Sequence, residues 1–124
     1  MPDEYLYSDL TKAIIGAALT VHKTLGPGFP EKIYQKALQE EFRKQNISFV
    51  REKQIKVFYE GKDVGYTVVD FFVYDKIIVE LKAAKLILDV HTKQVIGYLK
   101  TTSLKLGLVL NFGKSKLEIK RVVV

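Results

Sequence analysis

The stretch that most constrains the fold is residues 69–83, with the sequence VDFFVYDKIIVELKA. Its two apolar runs are separated by Tyr-Asp-Lys at residues 74–76, a pattern typical of two strands joined by a tight turn. Successive side chains of a strand point to opposite faces. One face of the hairpin is therefore apolar and predicted to form core: Phe71, Val73, Ile77, Val79 and Leu81.

The opposite face carries charges, because a turn at residues 74–76 places Asp70 across from Glu80. Facing carboxylates repel, which raises the pKa of one of them unless a cation lies between them. Mg²⁺ prefers oxygen ligands and retains several waters, so Asp70, Glu80 and the Leu81 carbonyl are candidate metal ligands. Lys82 has no acceptor atom and is a candidate electrostatic aid to catalysis. The alternative is an ordinary cross-strand charge pair on a solvated face.

Length and charge limit the classes of function. A chain of 124 residues without cysteine predicts a single domain, residues 1–124, with no disulfide and no cysteine nucleophile. The net charge of +6 favours a polyanionic partner such as nucleic acid, although a lysine-rich surface that maintains solubility has the same charge. The acidic N-terminus lacks the apolar segment of a signal peptide, and no apolar run would span a membrane. We therefore expect a cytoplasmic protein without membrane contact.

Hydrophobic periodicity places three helices and five strands along the chain. Ser8 is predicted to cap the first helix and Asp89 the third. The third helix is long enough to be a crossover, so the strand after it is predicted to run parallel to the strand before it. The last strand is predicted to lie at an edge. The predicted helices cover residues 9–24, 30–45 and 90–102, and the strands cover 48–59, 64–74, 77–83, 106–112 and 117–123.

The second and third helices each carry polar residues that share one face and are candidates for a site. Glu31 and Tyr34 share the apolar stripe of the second helix, so Glu31 is predicted to face the interior. The alternative is that Glu31 only interacts favourably with the helix dipole in the first turn. His91, Gln94 and Tyr98 lie on one face of the third helix.

Several segments together resemble the GxxExxY family within the PD-(D/E)xK nuclease superfamily. GFPEKIY at residues 28–34 fits the pattern that names the family, and VD at 69–70 with VELKA at 79–83 resembles its central motif. HTKQ at 91–94, followed by YLK at 98–100, is similar to its third-helix signature. GLVLNFG and LEIKR, at residues 107–113 and 117–121, resemble its final strands.

This resemblance implies a three-layer restriction-endonuclease-like core, with a mixed central sheet flanked by helices in the order α-α-β-β-β-α-β-β. Active members of the superfamily bind Mg²⁺ through the aspartate and the glutamate of Glu-x-Lys. By position, the resemblance assigns metal binding to Asp70 and Glu80, catalysis to Lys82, and the role of the helix glutamate to Glu31. Other motif residues are implied to brace the site or position the substrate: Tyr34, His91, Gln94 and Tyr98.

The leading hypothesis is a Mg²⁺-dependent nuclease, with Mn²⁺ as a possible substitute, that hydrolyses phosphodiester bonds of DNA with a metal-activated water. The second is a catalytically silent nuclease-fold module that binds nucleic acid or a protein partner. A third is a structural module with an ion-paired hairpin and no ligand. Because the final strand is apolar and suited to edge pairing, we also expect a homodimer.

Overall fold

A computed structural model describes residues 6–124. The first five residues of the acidic N-terminus, where no signal peptide is expected, lie outside this range. The element order is the predicted one, and every boundary lies within two residues of its prediction. No helix in the described range has the length and apolar character needed to cross a membrane. The elements are α1 (Ser8–Leu25), α2 (Glu31–Lys44), β1 (Phe49–Tyr59), β2 (Lys62–Val73), β3 (Ile77–Lys82), α3 (Asp89–Thr102), β4 (Leu106–Asn111) and β5 (Glu118–Val123).

The five strands form one mixed sheet in the order β1-β2-β3-β4-β5. Neighbouring strands are antiparallel except for β3 and β4, which run parallel and are connected through α3. This parallel pair confirms the predicted crossover, since parallel neighbours require a long connection. All residues of β4 are buried, as expected for a strand covered on both faces. The last strand lies at an edge, as predicted.

The sheet separates two apolar cores. On one face α1 and α2 pack against the strands, and the predicted apolar face of the hairpin is buried here: Phe71, Val73, Ile77, Val79 and Leu81. On the other face α3 covers a second core that includes Ile78, Val95 and Leu99. The three layers confirm the predicted α/β architecture.

The predicted helix caps are wrong at two positions. Ser8 and Asp89 are the first helical residues, and the residues that precede them, Tyr7 and Leu88, occupy the cap positions. At α3 the ring of His91 takes over part of the capping, because its Nδ1 accepts the Leu88 N–H at 3.0 Å. Satisfying a free N–H at a helix start stabilises that end of the helix.

A buried asparagine at the end of β4 holds the segment that follows β3. Asn111 is fully buried, and its Oδ1 accepts the N–H groups of Ala84 at 2.9 Å and Gly113 at 3.0 Å. Its Nδ2 donates to the Ala84 carbonyl and to Glu118 Oε1, both at 3.0 Å. Glu118 Oε1 also accepts the Ile87 N–H at 3.0 Å. These bonds hold the chain beyond β3 against the end of the sheet.

We expect Asn111→Leu to lower the free energy of unfolding by about 2–3 kcal/mol, because buried backbone groups of Ala84 lose their partners. Urea unfolding followed by circular dichroism measures the change. Gln54→Ala, on an exposed part of β1, is the control and should change stability by less than about 0.5 kcal/mol. Equal effects of the two substitutions would show that the Asn111 network is not a stabilising element.

Candidate active site

The carboxylates of the hairpin meet where the β2–β3 pairing ends. The register pairs Val73 with Ile77, as predicted, and the last paired position joins Phe71 to Val79. One residue further, Asp70 Oδ2 accepts the N–H of Leu81 at 2.8 Å, so a side chain continues the hydrogen bonding between the strands.

Glu80 completes this junction from the other strand. Its carboxyl group is hydrogen-bonded to the carboxyl group of Asp70 and also accepts the Asp70 backbone N–H. Each strand therefore contributes a carboxyl group that bonds the backbone of the other, and the two acids are held in contact.

Asp70 faces α2 at an irregular position of the β1–β2 pairing. The pairs Arg51–Phe71 and Lys53–Val69 flank a gap in the β1–β2 ladder, and Glu52, opposite Asp70, has a φ of 53°. Val69 packs in the α3-side core, whereas Phe71 packs in the core beneath α1 and α2. The two-residue alternation is therefore interrupted between Val69 and Phe71, next to the gap at Glu52.

Gln35 of α2 fixes the orientation of Asp70, and the sequence analysis missed it. Its side chain is only 4% exposed, and Nε2 donates to Asp70 Oδ1 at 3.0 Å. Its Oε1 accepts bonds from Arg51 Nε at 3.0 Å and Lys32 Nζ at 3.2 Å. The available signal was its spacing, since Gln35 lies four residues after Glu31 and so on the same face of the helix.

A cleft of about 110 Å³ opens in front of Asp70. It is lined by Glu31, Lys32, Gln35, Asp70 and Leu81. Glu31 is exposed, so the prediction that it faces the interior is wrong: as the first residue of α2 it lies at the open side of the cleft. The structure thus brings three of the predicted metal ligands, two of them carboxylates, to one cleft.

Glu80 is buried beside this cleft, and its protonation depends on Asp70. The side chain is 7% exposed, and burial raises its pKa to about 9, with further contributions from the hydrogen bond and the charge of Asp70. The nearby charge of Lys82 has the opposite, weaker effect on this pKa. At neutral pH, Glu80 is therefore protonated and shares a proton with Asp70. A buried carboxyl pair of this kind can exchange its proton for a cation.

The donor chemistry fits a hard divalent cation. Asp70, Glu80 and Glu31 offer carboxylate oxygens, and the Leu81 carbonyl at the cleft is a further oxygen ligand of the kind that Mg²⁺ accepts. In residues 6–124, no three His, Cys, Asp or Glu side chains are close enough to form a metal-binding group. Fewer than three such side chains are sufficient to bind Mg²⁺, because the ion usually retains several water ligands.

The third helix brings one of its predicted residues to the carboxylates. Tyr98 is half-buried, and its pKa is raised by burial and by the charges of Glu80 and Asp70. Its hydroxyl group is hydrogen-bonded to Thr67 of β2. Gln94, one turn earlier on α3, is exposed.

Tyr34 is fully buried, whereas His91 is partly exposed, and both make hydrogen bonds to the backbone. Tyr34 is 0% exposed, and its hydroxyl donates to the Gly26 carbonyl at 2.6 Å and accepts the Phe29 N–H at 3.2 Å. Its ring stacks on Phe112 with centroids 4.8 Å apart. The Tyr34 ring is therefore not available for direct contact with a substrate, and a role in bracing the site stays a prediction. The residue instead holds the loop that leads into α2. His91 uses its Nδ1 at the start of α3.

The class of protein follows from these features. The mixed sheet has two helices on one face and one helix on the other, and a pair of carboxyl groups lies where the β2–β3 pairing ends. This arrangement defines a restriction-endonuclease-like α/β domain. A sequence profile described as PD-(D/E)XK nuclease superfamily matches residues 8–122. The chain belongs to the PD-(D/E)XK nuclease superfamily. Neither the curated proteins nor the solved structures contain a significant match. Nucleases of this superfamily usually use divalent metals.

The raised pKa of Glu80 predicts a specific dependence of stability on pH. Because the folded-state pKa of about 9 lies above the ordinary value of 4.5, the free energy of unfolding should fall as the pH rises between these values. Without divalent cations, we expect a loss of about 2–3 kcal/mol from pH 5 to pH 7, since one pKa unit corresponds to about 1.4 kcal/mol. Glu80→Gln should remove this loss.

Urea unfolding at both pH values in the presence of EDTA measures this difference. Glu60→Gln, at an exposed turn position, is the matched control and should keep the pH dependence of the unchanged protein. If Glu80→Gln and the wild-type protein lose equal stability from pH 5 to pH 7, Glu80 does not bind a proton on folding.

Proposed function

We propose that this protein is a Mg²⁺-dependent nuclease that hydrolyses phosphodiester bonds of DNA, with Mn²⁺ as a possible substitute, and that it belongs to the GxxExxY branch of its superfamily. The observation that carries this proposal is the contact between the carboxyl groups of Asp70 and Glu80. These two groups lie beside Lys82 and next to the cleft that Glu31 lines. A net charge of +6 supports a polyanionic substrate.

In this proposal, Asp70, Glu80 and the Leu81 carbonyl would hold the cation. Glu31 lines the same cleft but does not form a three-carboxyl group with them, so it would face the cation from the start of α2. When bound, the cation supplies positive charge at the reacting phosphate and lowers the pKa of a water molecule. Gln35 keeps Asp70 oriented through its 3.0 Å hydrogen bond.

The remaining predicted residues serve the substrate or its surroundings. Lys82 supplies a further positive charge where negative charge develops on the phosphate. Tyr98, with its hydroxyl beside the carboxylates, and the exposed Gln94 line the side from which DNA approaches. His91 and Tyr34 position these segments by fixing the start of α3 and the loop before α2.

Nuclease activity is tested by incubating plasmid, single-stranded and branched DNA with Mg²⁺ or Mn²⁺. We expect cleavage by the unchanged protein and a loss of at least about 100-fold in Lys82→Ala, as is usual when a charge-stabilising donor is removed. Lys85→Ala is the matched control, because it removes an exposed lysine three residues away. If the unchanged protein and Lys82→Ala are equally inert on all substrates, the nuclease proposal is wrong.

The alternative is a catalytically silent module that binds nucleic acid or a protein partner. The observation that favours it is the burial of Glu80, which holds that group in its protonated form. Calorimetry distinguishes the two proposals. Binding of Mg²⁺ or Mn²⁺ that disappears in Asp70→Asn supports the nuclease, whereas DNA binding without any metal binding supports the silent module.

We also propose that residues 1–124 form one domain, that the protein is cytoplasmic, and that two copies form a homodimer. The free edge of β5, with Ile119 and Val124 exposed beside it, is the surface suited to pairing with a second chain. Light scattering at working concentration should give twice the 14.2 kDa mass of one chain. A mass equal to that of one chain contradicts the homodimer.

A further inference from the structure

A carboxylate at the rim of the cleft is surrounded by cations. Glu52 Oε1 lies 2.5 Å from Lys32 Nζ and 3.6 Å from Arg51 Nη2. Lys36, on the same helix as Lys32, contributes a weaker attraction. One carboxylate thus lies among three positive groups, which leaves an excess of positive charge beside the cleft. The Glu52 side chain is 47% exposed, so solvent and ligands can reach it.

The two nearest cations are held in place by α2. Arg51 Nε donates to Gln35 Oε1 at 3.0 Å, and its Nη1 donates to Gln39 Oε1 at 3.4 Å. The Arg51 side chain is only 22% exposed, and its remaining nitrogen points to Glu52. Lys32 lines the cleft and donates to the same Gln35 oxygen. A guanidinium fixed in this way loses little conformational freedom when it binds an anion.

Gln35 also links these cations to the carboxylate pair. Its Oε1 accepts from Arg51 and Lys32, while its Nε2 donates to Asp70 Oδ1 at 3.0 Å. A group bound between the two cations therefore lies in a fixed relation to Asp70.

The backbone of Glu52 is in an unfavourable conformation. Its φ of 53° lies in the left-handed region, which is unfavourable for a residue other than glycine. An exposed ion pair contributes little to stability, so the ion pair between Glu52 and Lys32 does not by itself account for this backbone conformation. Strained residues and strand irregularities are concentrated at functional sites, where they redirect a side chain. Here the conformation directs Glu52 to the cations at the cleft.

We propose that Lys32 and Arg51 form a phosphate-binding subsite, which the Glu52 carboxylate occupies in the free protein and a backbone phosphate of DNA occupies in the complex. The proposal rests on the proposed function. An ammonium and a forked guanidinium together match the oxygens of a phosphodiester. The carboxylate of Glu52 is a singly charged anion, as a phosphodiester is, and its pKa is lowered by the hydrogen bond and charge of Lys32. DNA binding then displaces the carboxylate from the cations.

The test measures binding of a fluorescent DNA oligonucleotide by anisotropy in EDTA, which prevents hydrolysis, at a series of salt concentrations. Glu52→Gln should bind about 3- to 10-fold more tightly, because the competing anion is removed. Its plot of log affinity against log salt should be steeper by up to about 0.7–0.9, because in the wild-type protein the displaced Glu52 carboxylate takes up a cation and so offsets the one released from the DNA phosphate. Lys32→Ala should weaken binding, and in the double variant the gain from Glu52→Gln should be lost.

Glu40→Gln is the matched control. Glu40 is exposed on α2 and pairs with Arg43 at 3.1 Å, so its substitution removes the same charge from an ion pair in another place. Its affinity should change by less than about 2-fold and its salt slope should not change. If Glu52→Gln and Glu40→Gln have the same affinity and slope, only the net charge matters and the subsite is wrong.

The outcomes separate the subsite from the proposed function. Cleavage of DNA by the unchanged protein, with no specific effect of Glu52→Gln on binding, overturns the subsite and leaves the nuclease proposal standing. The predicted effects of Glu52→Gln and Lys32→Ala, without cleavage in Mg²⁺ or Mn²⁺, support the subsite and overturn the proposed hydrolysis. Absence of DNA binding at every salt concentration in EDTA overturns the subsite. This conclusion does not depend on whether calorimetry detects metal binding.

Discussion

The geometry of the site depends on the two hydrogen bonds accepted by Asp70. One carboxylate oxygen binds the Leu81 N–H at 2.8 Å and the other binds the Gln35 amide at 3.0 Å. The first bond extends the β2–β3 pairing by one position, and the second ties this end of the sheet to α2. Because both oxygens are held by partners that are buried, Asp70 has a fixed orientation toward the cleft. Its contact with Glu80 then follows from the hairpin register.

The hydrogen bonds of Gln35 also explain how the cations Lys32 and Arg51 are kept from pairing directly with Asp70. Gln35 is neutral, yet its amide oxygen faces Lys32 and Arg51 while its amide nitrogen faces Asp70. It therefore separates the cationic rim from the acidic pair without a direct ion pair between them. A salt bridge from Arg51 to Asp70 would neutralise the charge that a divalent cation requires. The amide keeps the carboxylates available for a cation and the cations available for an anion.

The fold was largely predictable because each element has a clear local pattern. The apolar face of the hairpin, the near-continuous apolar run of β4 and the long crossover helix indicated the element order and the parallel pair. The helix caps were predicted less well, because Ser8 and Asp89 are good capping residues that lie one position inside their helices. For the site, the pairing register followed from the turn at residues 74–76. Of its α2 partners, Glu31 was predicted from the motif. Gln35 was missed, because its spacing shows which helix face it shares with Glu31 but not which distant strand that face contacts.

By itself, the sequence determined which residues carry charge on an otherwise apolar hairpin. It also determined the order of the helices and strands, because hydrophobic periodicity and turn chemistry are local properties. Only the tertiary structure decided where those charges point. Asp70 lies opposite the irregularity at Glu52, and its carboxylate contacts Gln35 of α2 and lines the cleft. Tertiary packing also decided that Tyr34, assigned by the motif to bracing the site or positioning the substrate, lies fully buried. The physical reason is that side-chain direction at an irregular strand depends on its neighbours, which the sequence pattern does not describe.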